Sequence, residues 1–133
     1  MSEREKVITL KGERYLITKV PAIEGSNILR KFTGSGKRNP ETFLAELPDE
    51  EFQNIQRTLV ANVFELQVVE GQEVKFPVML PSGILLPKIE EDASILLMIT
   101  VIALMFNLSG FFGGNELEEF QKIVELMASN SKK

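Results

Sequence analysis

The stretch Asp92–Phe112, DASILLMITVIALMFNLSGFF, constrains the fold of this chain more than any other segment. Within it, Ile95–Phe106 is apolar at every position except Thr100, and the run without a charged residue continues to Asn115. A helix that is apolar on every face must be surrounded by protein or by lipid. These two environments imply different classes of protein, so the choice between them comes first.

The flanks and the interior of this stretch favour protein surroundings. A membrane-spanning helix needs about 20 apolar residues, but Asn107, Ser109 and Gly110 shorten the strongly apolar part to about a dozen, a length typical of a buried helix. Acidic residues lie on both sides, in Glu90–Asp92 and from Glu116 onward, where basic anchors are usual for a membrane helix. The sequence therefore predicts the central core helix of a small soluble domain, with a holin-like membrane protein as an alternative.

Composition narrows the classes of function. The chain has 133 residues, the size of one domain, and a net charge of -4, which does not favour nucleic acid as a partner. It contains neither histidine nor cysteine, and so lacks the commonest general base, the commonest metal ligand and thiolate chemistry. We expect no enzyme, no cofactor, no bound metal and no small-molecule substrate. The charged start, MSEREK, lacks the apolar run of a secretory signal, which predicts a cytoplasmic location.

The first part of the chain predicts a β-hairpin followed by helices. Residues 6–20 contain two segments rich in β-forming residues, and Lys11-Gly12 between them fits a two-residue turn. Residues 21–66 read as helices, the first ending at Gly34, the second starting at Asn39-Pro40 and the third starting after Pro48. The third carries apolar residues at three- and four-residue steps, which predicts a face buried in the core: Phe52, Ile55, Leu59, Val63 and Leu66.

Two features that resemble catalytic or ligand-binding motifs have simpler explanations. The glycine-rich loop Thr33–Asn39 has Arg38 where a phosphate-binding loop needs a serine or threonine for magnesium, so a solvated loop is the better interpretation. The acidic groups Asp49–Glu51 and Glu90–Asp92 stand where helices begin, and carboxylates in a first helical turn ordinarily complement the helix dipole.

Residues 67–87 are predicted to form an irregular, apolar segment punctuated by prolines, in which residues 68–74 read as a second small hairpin or an extended turn. Pro77, Pro81 and Pro87 exclude a regular helix and a central strand. Such a segment is either a cover folded over the core or an arm presented to a partner, and exposed apolar patches usually mark interaction sites. Its candidate protein-binding residues are Phe76, Val78, Leu80, Ile84 and Leu86.

Residues 88–128 are predicted to contain the buried helix, at about 90–109, and an amphipathic C-terminal helix capped by Asn115. The turn between the two helices contains Gly113-Gly114. Further candidate protein-binding residues lie just past the buried helix and along the apolar stripe of the last helix: Phe111, Phe112, Leu117, Phe120 and Val124. The fold class predicted from these elements is mainly α with a small N-terminal β-ribbon (α+β), in a single domain of residues 1–133. Self-association is expected, because so much apolar sequence in a short chain is hard to cover.

Two stretches resemble the tail assembly chaperones of long-tailed bacteriophages. Many of those proteins have a short β-like segment followed by Leu- or Val-Pro-Ala, and this chain has Val20-Pro21-Ala22. Many also have a late apolar helix that runs into an asparagine followed closely by paired aromatic residues. This chain has Phe106-Asn107 followed by Phe111-Phe112. The similarity is one of order and pattern over most of the chain, and residues 67–87 match it least.

The resemblance implies a non-catalytic protein that keeps the long tape measure protein soluble during tail assembly and helps recruit the tail tube protein. Such a protein would act in the host cytoplasm and be absent from the mature virion. The physical requirement for this role is apolar surface that can receive the apolar face of a helical client. The alternative interpretations are a structural subunit retained in a phage or other bacterial assembly and the holin-like membrane protein.

Overall fold

A computed structural model describes residues 4–37 and 39–112, with residues 110–112 described by their backbone alone. The strands are β1 (Glu5–Leu10), β2 (Glu13–Thr18), β3 (Val63–Val69) and β4 (Gln72–Pro77), and the helices are α1 (Ala22–Gly34), α2 (Pro40–Ala45), α3 (Asp49–Val60), α4 (Pro87–Glu90) and α5 (Ala93–Phe112).

The four strands form one antiparallel sheet in the order β1-β2-β3-β4. Two tight turns connect its two hairpins. Lys11 (φ 50°) and Gly12 (φ 83°) join β1 to β2, and Glu70 (φ 52°) and Gly71 (φ 81°) join β3 to β4. Positive φ at both central residues matches the natural twist of paired strands, which is why a glycine occupies the second position in each turn. The first of these hairpins confirms the hairpin predicted from the sequence.

The predicted fold class, mainly α with a small N-terminal β-ribbon, is wrong. The fold is α+β with a four-stranded sheet, because residues 63–77 form a second hairpin that pairs with β2 through β3. The sequence predicts Val63 and Leu66 on the apolar face of the third helix, but α3 ends at Val60. The steps of four residues from Leu59 to Val63 and of three from Val63 to Leu66 fit a helical stripe by coincidence. The β-branched and aromatic residues of β3 favour a strand.

Helix α5 passes through the centre of the fold. It packs against α2, α3, α4 and strand β2, and every side chain from Ile99 to Phe106 is buried. Thr100, the polar residue in this run, donates a hydrogen bond to the Leu96 carbonyl and accepts one from Gln56 at 3.0 Å. Among the described helices, none combines the length and the apolar character needed to cross a membrane.

The boundaries of α5 differ from those predicted. The helix begins at Ala93, because α4 ends at Glu90 and Asp92 caps the new helix by accepting hydrogen bonds from the backbone N–H groups of Ser94 and Ile95. Its backbone stays helical through Phe112, beyond the predicted end at Asn107–Gly110. Glycine lowers helix propensity without forbidding a helix, so Gly110 does not end this one.

Contacts from the first hairpin hold Asp92 in its capping position. Lys11 Nζ lies 3.0 Å from Asp92 Oδ2, and the Ser94 hydroxyl donates to Asp92 Oδ1 at 2.6 Å. Hydrogen bonds from Ser94, Lys11 and the Ile95 backbone lower the pKa of Asp92 to about 2. The turn that closes β1 and β2 therefore also fixes the start of the central helix.

Helices α1 and α2 complete the core next to α5. Phe32 of α1 and Phe43 of α2 contact edge to face, with ring centroids 5.4 Å apart. The predicted start of α2 is confirmed, since Asn39 Oδ1 accepts hydrogen bonds from the backbone N–H groups of Glu41 and Thr42, at 2.7 and 3.2 Å. The predicted end of α1 at Gly34 is confirmed as well.

Candidate protein-binding surfaces

The segment that follows β4 forms a small turn closed by backbone hydrogen bonds, and we call residues 78–86 the 78–86 hairpin. Its backbone closes on itself through hydrogen bonds from Leu80 N to Ile84 O at 2.8 Å and from Gly83 N to Leu80 O at 2.7 Å. At its base, Val78 N donates to Val63 O and Leu86 N donates to Val78 O. Gly83 has φ 93°, a conformation that strongly favours glycine. Residues 67–77 belong to β3, β4 and their turn, so the small hairpin predicted at residues 68–74 is present but its strands extend over Val63–Pro77.

The five binding residues predicted in this region are not equivalent. Leu80 and Ile84 stand at the tip of the 78–86 hairpin and are 43% and 62% exposed. Val78 is fully buried in the core, while Phe76 on β4 and Leu86 at the hairpin base are partly buried. The segment is therefore a cover at its base and an exposed apolar tip at its end. A partner can reach Leu80 and Ile84 without any change in the fold.

The other predicted binding residues cannot be placed in the same way. Phe111 and Phe112 are helical residues of α5 rather than residues beyond its end, and the structure describes only their backbone. Leu117, Phe120 and Val124 lie outside the described residues altogether.

A second apolar surface, which the sequence interpretation missed, is a cleft between three helices. This α2–α3–α5 cleft has a volume of about 460 Å³. Its apolar lining comes from Leu44 of α2 and Leu47 just after it, Phe52 of α3, and Leu97 and Val101 of α5. Glu41 and Asp49 add carboxylates to the lining. Leu97 is 49% exposed, although Ile99 two residues later is completely buried.

Sequence periodicity could not reveal this cleft. A helix that is apolar all round gives no periodic signal for which face is open, so Leu97 is indistinguishable in the sequence from Ile99. The neighbouring residue Leu96 lines a different cleft of about 270 Å³, between α3 and the 78–86 hairpin. Adjacent leucines of α5 thus line separate surfaces.

A charged cluster lies on the sheet, where Glu65 of β3 is buried. Lys88 Nζ lies 2.6 Å from Glu65 Oε2 and 3.4 Å from Glu13 Oε2, and Gln67 donates to Glu65 Oε1 at 2.9 Å. Burial alone would raise the pKa of the Glu65 carboxyl, but hydrogen bonds from Lys88 and Gln67 outweigh burial and lower it. With both carboxylate oxygens engaged, this cluster joins α4 to the sheet and is structural in character.

Tyr15 lies beside this cluster, directly opposite Glu65 in the pairing of β2 with β3. Its hydroxyl is buried and has no hydrogen-bond partner within the described part of the chain. Burial, with added repulsion from the carboxylates of Glu65, Glu13 and Asp92, raises the pKa of the Tyr15 phenol. Such a phenol stays neutral at physiological pH, so it supplies no general base. Over the described ranges, no three carboxylate side chains lie close enough together to hold a metal ion.

The two stretches that carried the family resemblance meet in the fold. The backbone N–H of Val20 donates a 2.9 Å hydrogen bond to Asn107 Oδ1, and Asn107 Nδ2 donates to the Ala103 carbonyl at 2.8 Å. Asn107 therefore ties the junction between β2 and α1 to the late part of α5. The sequence identifies both stretches but gives no reason to expect a contact between them.

Comparisons of the chain with protein family profiles, with curated proteins and with solved structures find no match.

Proposed function

We propose that this chain is a tail assembly chaperone of a long-tailed bacteriophage or of a prophage relative. Its client would be the tape measure protein, and the tail tube protein would be a second partner. The protein would be non-catalytic, self-associating, active in the host cytoplasm and absent from the finished virion.

The observation that carries the proposal is the contact between the two stretches on which the family resemblance depends. Val20-Pro21-Ala22 and the asparagine of the late apolar helix are far apart in sequence, yet Val20 and Asn107 share a hydrogen bond. Two sequence features that recur together in a family have a physical reason to do so when they contact each other. The bond gives this pair such a reason.

The exposed tip of the 78–86 hairpin supplies a surface suited to a helical client. Leu80 and Ile84 expose apolar side chains to solvent at the tip of this hairpin. A helix with an apolar stripe would bury these side chains, and each fully buried leucine or isoleucine contributes about 1.5–3 kcal/mol. Removing such surface from water is how a holding chaperone keeps an aggregation-prone helix in solution.

Co-expression tests this proposal directly. The bait is the full chain, and the prey is the long, helical reading frame encoded next to it, which must be insoluble when expressed alone. The expected result is a soluble complex with the unmodified bait and an insoluble prey with the double variant Leu80→Asp and Ile84→Asp. The matched control is Ile23→Asp, since Ile23 is an apolar residue 83% exposed on another element, α1.

The possible results distinguish the chaperone function itself from the location of the surface that binds the client. If the unmodified bait leaves the prey insoluble, the chaperone proposal is wrong. If the Leu80→Asp and Ile84→Asp variant still holds the prey in solution, the function stands and the hairpin is not the binding surface. Loss of binding in the Ile23→Asp control would show that any exposed charge disturbs the complex.

A structural subunit is the second candidate, and the open edges of the sheet favour it. Within the described ranges, β1 and β4 each pair with a strand on one side only, and unpaired strand edges can accept a strand from a neighbouring subunit. The two functions differ in where the protein ends up. A structural subunit remains in purified particles, whereas an assembly chaperone does not.

A further inference from the structure

Strand β1 is an edge of the sheet whose backbone is arranged to accept another strand. In the part of the chain that the structure describes, β1 pairs with β2 alone. Leu10 and Glu13 flank the two-residue turn between these strands and lie opposite each other. Such flanking residues exchange backbone hydrogen bonds, and along a strand the backbone groups point alternately toward and away from the neighbouring strand. The groups that point away from β2 are therefore those of Glu5, Val7 and Thr9, and all three residues are exposed.

The opposite edge of the sheet is protected from strand addition. By the same alternation, the residues of β4 whose backbone groups point away from β3 are Glu73, Lys75 and Pro77. Pro77 has no N–H to donate, and proline and lysine are residues that discourage pairing at sheet edges. Strand β1 contains no proline, and Val7 in the middle of its edge is 48% exposed. An apolar, β-branched side chain thus marks the edge that is open to a further strand.

A second copy of β1 fits this edge best in one antiparallel register. When two identical strands pair around a two-fold axis, their outward-pointing backbone groups must face each other. An axis at Val7 places Val7 opposite Val7 and Glu5 opposite Thr9, and it forms about six hydrogen bonds. An axis at Lys6 would form fewer bonds and set two lysine side chains directly opposite each other, which is destabilising. An axis at Ile8 would leave Glu5 without a strand residue opposite it.

The side chains around Val7 also match in this register. A row of apolar side chains crosses all four strands, and its members lie opposite one another: Val7, Leu16, Phe64 and Pro77. Pairing at Val7 would join the rows of the two copies into one. Thr9 lies opposite Arg14 of β2, so Glu5 of one copy would stand two strands, about 10 Å, from Arg14 of the other. These long side chains carry opposite charges and can span that distance.

We propose that two copies of the chain pair through β1, with Val7 on the two-fold axis, and form one continuous antiparallel sheet. The second copy is the favoured occupant because this edge is complementary to itself in hydrogen bonding, apolar contact and charge. An interface that uses the same edge of both copies closes at a dimer. The inference rests on the geometry of β1 and holds whether or not the chain is a tail assembly chaperone.

The mass of the protein in solution tests the dimer. A single strand pair buries little surface, so sedimentation equilibrium is measured at about 100 μM, a concentration at which weak complexes form. The unmodified protein should have twice the mass of one chain. Val7→Lys sets like charges directly opposite each other and should halve that mass. The control Val68→Lys, at a position 69% exposed on β3, should leave the mass unchanged.

A monomeric unmodified protein would overturn the proposal, and so would a dimer that survives Val7→Lys. Far-ultraviolet circular dichroism checks that each variant is folded.

Engineered cysteines test the register, since the chain contains no cysteine of its own. Val7→Cys should give a disulfide-linked dimer with oxidised glutathione, because Cα atoms of opposite, hydrogen-bonded residues lie about 5.5 Å apart, within disulfide range. Glu5→Cys alone and Thr9→Cys alone should stay reduced, because the two cysteines would then lie about 14 Å apart. A mixture of these two variants should cross-link. Cross-linking of Thr9→Cys alone, or none in Val7→Cys and in the mixture, would overturn the proposed pairing.

Discussion

Removing the cation beside buried Glu65 should destabilise the fold in a pH-dependent way. Lys88→Met keeps most of the side-chain length of Lys88 but deletes the ammonium group that lies 2.6 Å from Glu65 Oε2. The Glu65 side chain is 1% exposed, so solvent cannot replace the lost partner. Gln67 still donates one hydrogen bond, while Glu13 would no longer be separated from Glu65 by a positive charge.

The expected loss is about 2–3 kcal/mol at pH 7. Breaking a fully buried ion pair from one side costs roughly 3–5 kcal/mol. The value here is smaller because Lys88 is 42% exposed and because Gln67 remains bonded to the carboxylate. For a chain of this size, each kcal/mol corresponds to a shift in Tm of roughly 3–5 °C. Lys88→Met should therefore melt about 10 °C lower than the unmodified protein.

The sign of the pH dependence follows from the pKa of Glu65. In the unmodified protein Lys88 and Gln67 lower this pKa below its ordinary value of 4.5, so the stabilisation is present above pH 4.5 and is lost as the pH falls below it. Without Lys88, burial dominates and raises the pKa, so the variant loses stability as the pH rises above 4.5. The difference in unfolding free energy between the two proteins should be small near pH 4 and largest near pH 7.

Urea denaturation at pH 4, 5.5 and 7 measures this difference. Two further variants sharpen it. Glu65→Leu with Lys88→Met removes both charges and should recover stability to within about 1 kcal/mol of the unmodified protein. Lys37→Met breaks the 2.5 Å pair with exposed Glu46 and should cost no more than about 1 kcal/mol at any of the three pH values. A loss below 1 kcal/mol for Lys88→Met, or a loss independent of pH, would refute the reasoning.

Two other single substitutions have defined expectations. Tyr15→Phe removes a buried hydroxyl without a hydrogen-bond partner among the described residues, so it should leave the protein equally stable or raise its unfolding free energy by up to about 1–2 kcal/mol, measured as an increase in Tm; a clear loss of stability would show that the hydroxyl has a partner. Asn107→Ala leaves the Val20 N–H without its acceptor and should cost about 1–3 kcal/mol in urea denaturation, and amide exchange at Val20 should become faster; unchanged exchange would mean that this bond does not hold the junction.

The parts of the fold that could be predicted are those with a local cause. Lys11-Gly12 predicts its hairpin because the turn itself demands positive φ at both residues. Asn39 and Pro40 predict the start of α2 because a cap and a fixed φ act within one turn. The apolar run at Ile95–Phe106 predicts an enclosed helix because a helix that is apolar on every face must be surrounded by protein or by lipid.

The sequence indicates only the central part of the second hairpin, at residues 68–74, because the evidence for the full length of its strands is not local. Glu70-Gly71 is a turn signal of the same kind as Lys11-Gly12, but the side chains of β3 do not alternate regularly between buried and exposed, and the strand pairs with the distant strand β2. Glu65 adds to the difficulty. A glutamate within a strand normally faces solvent, and this one is buried because Lys88, 23 residues later, reaches its carboxylate.

The same distinction explains which binding residues the sequence could indicate. Leu80 and Val78 are both apolar neighbours of prolines, yet one is exposed at the hairpin tip and the other is fully buried, because Val78 donates its backbone N–H to Val63 of a distant strand. Composition identifies a segment rich in apolar residues, but tertiary pairing decides which of them a partner can touch. Leu97 follows the same rule in a helix, because its exposure depends on where α2 and α3 stop covering α5. A uniformly apolar sequence does not indicate which residues lie outside the covered part. Exposure at Leu80 and at Leu97 is thus a consequence of packing, and substitutions at these two positions test surfaces that only the fold separates from the core.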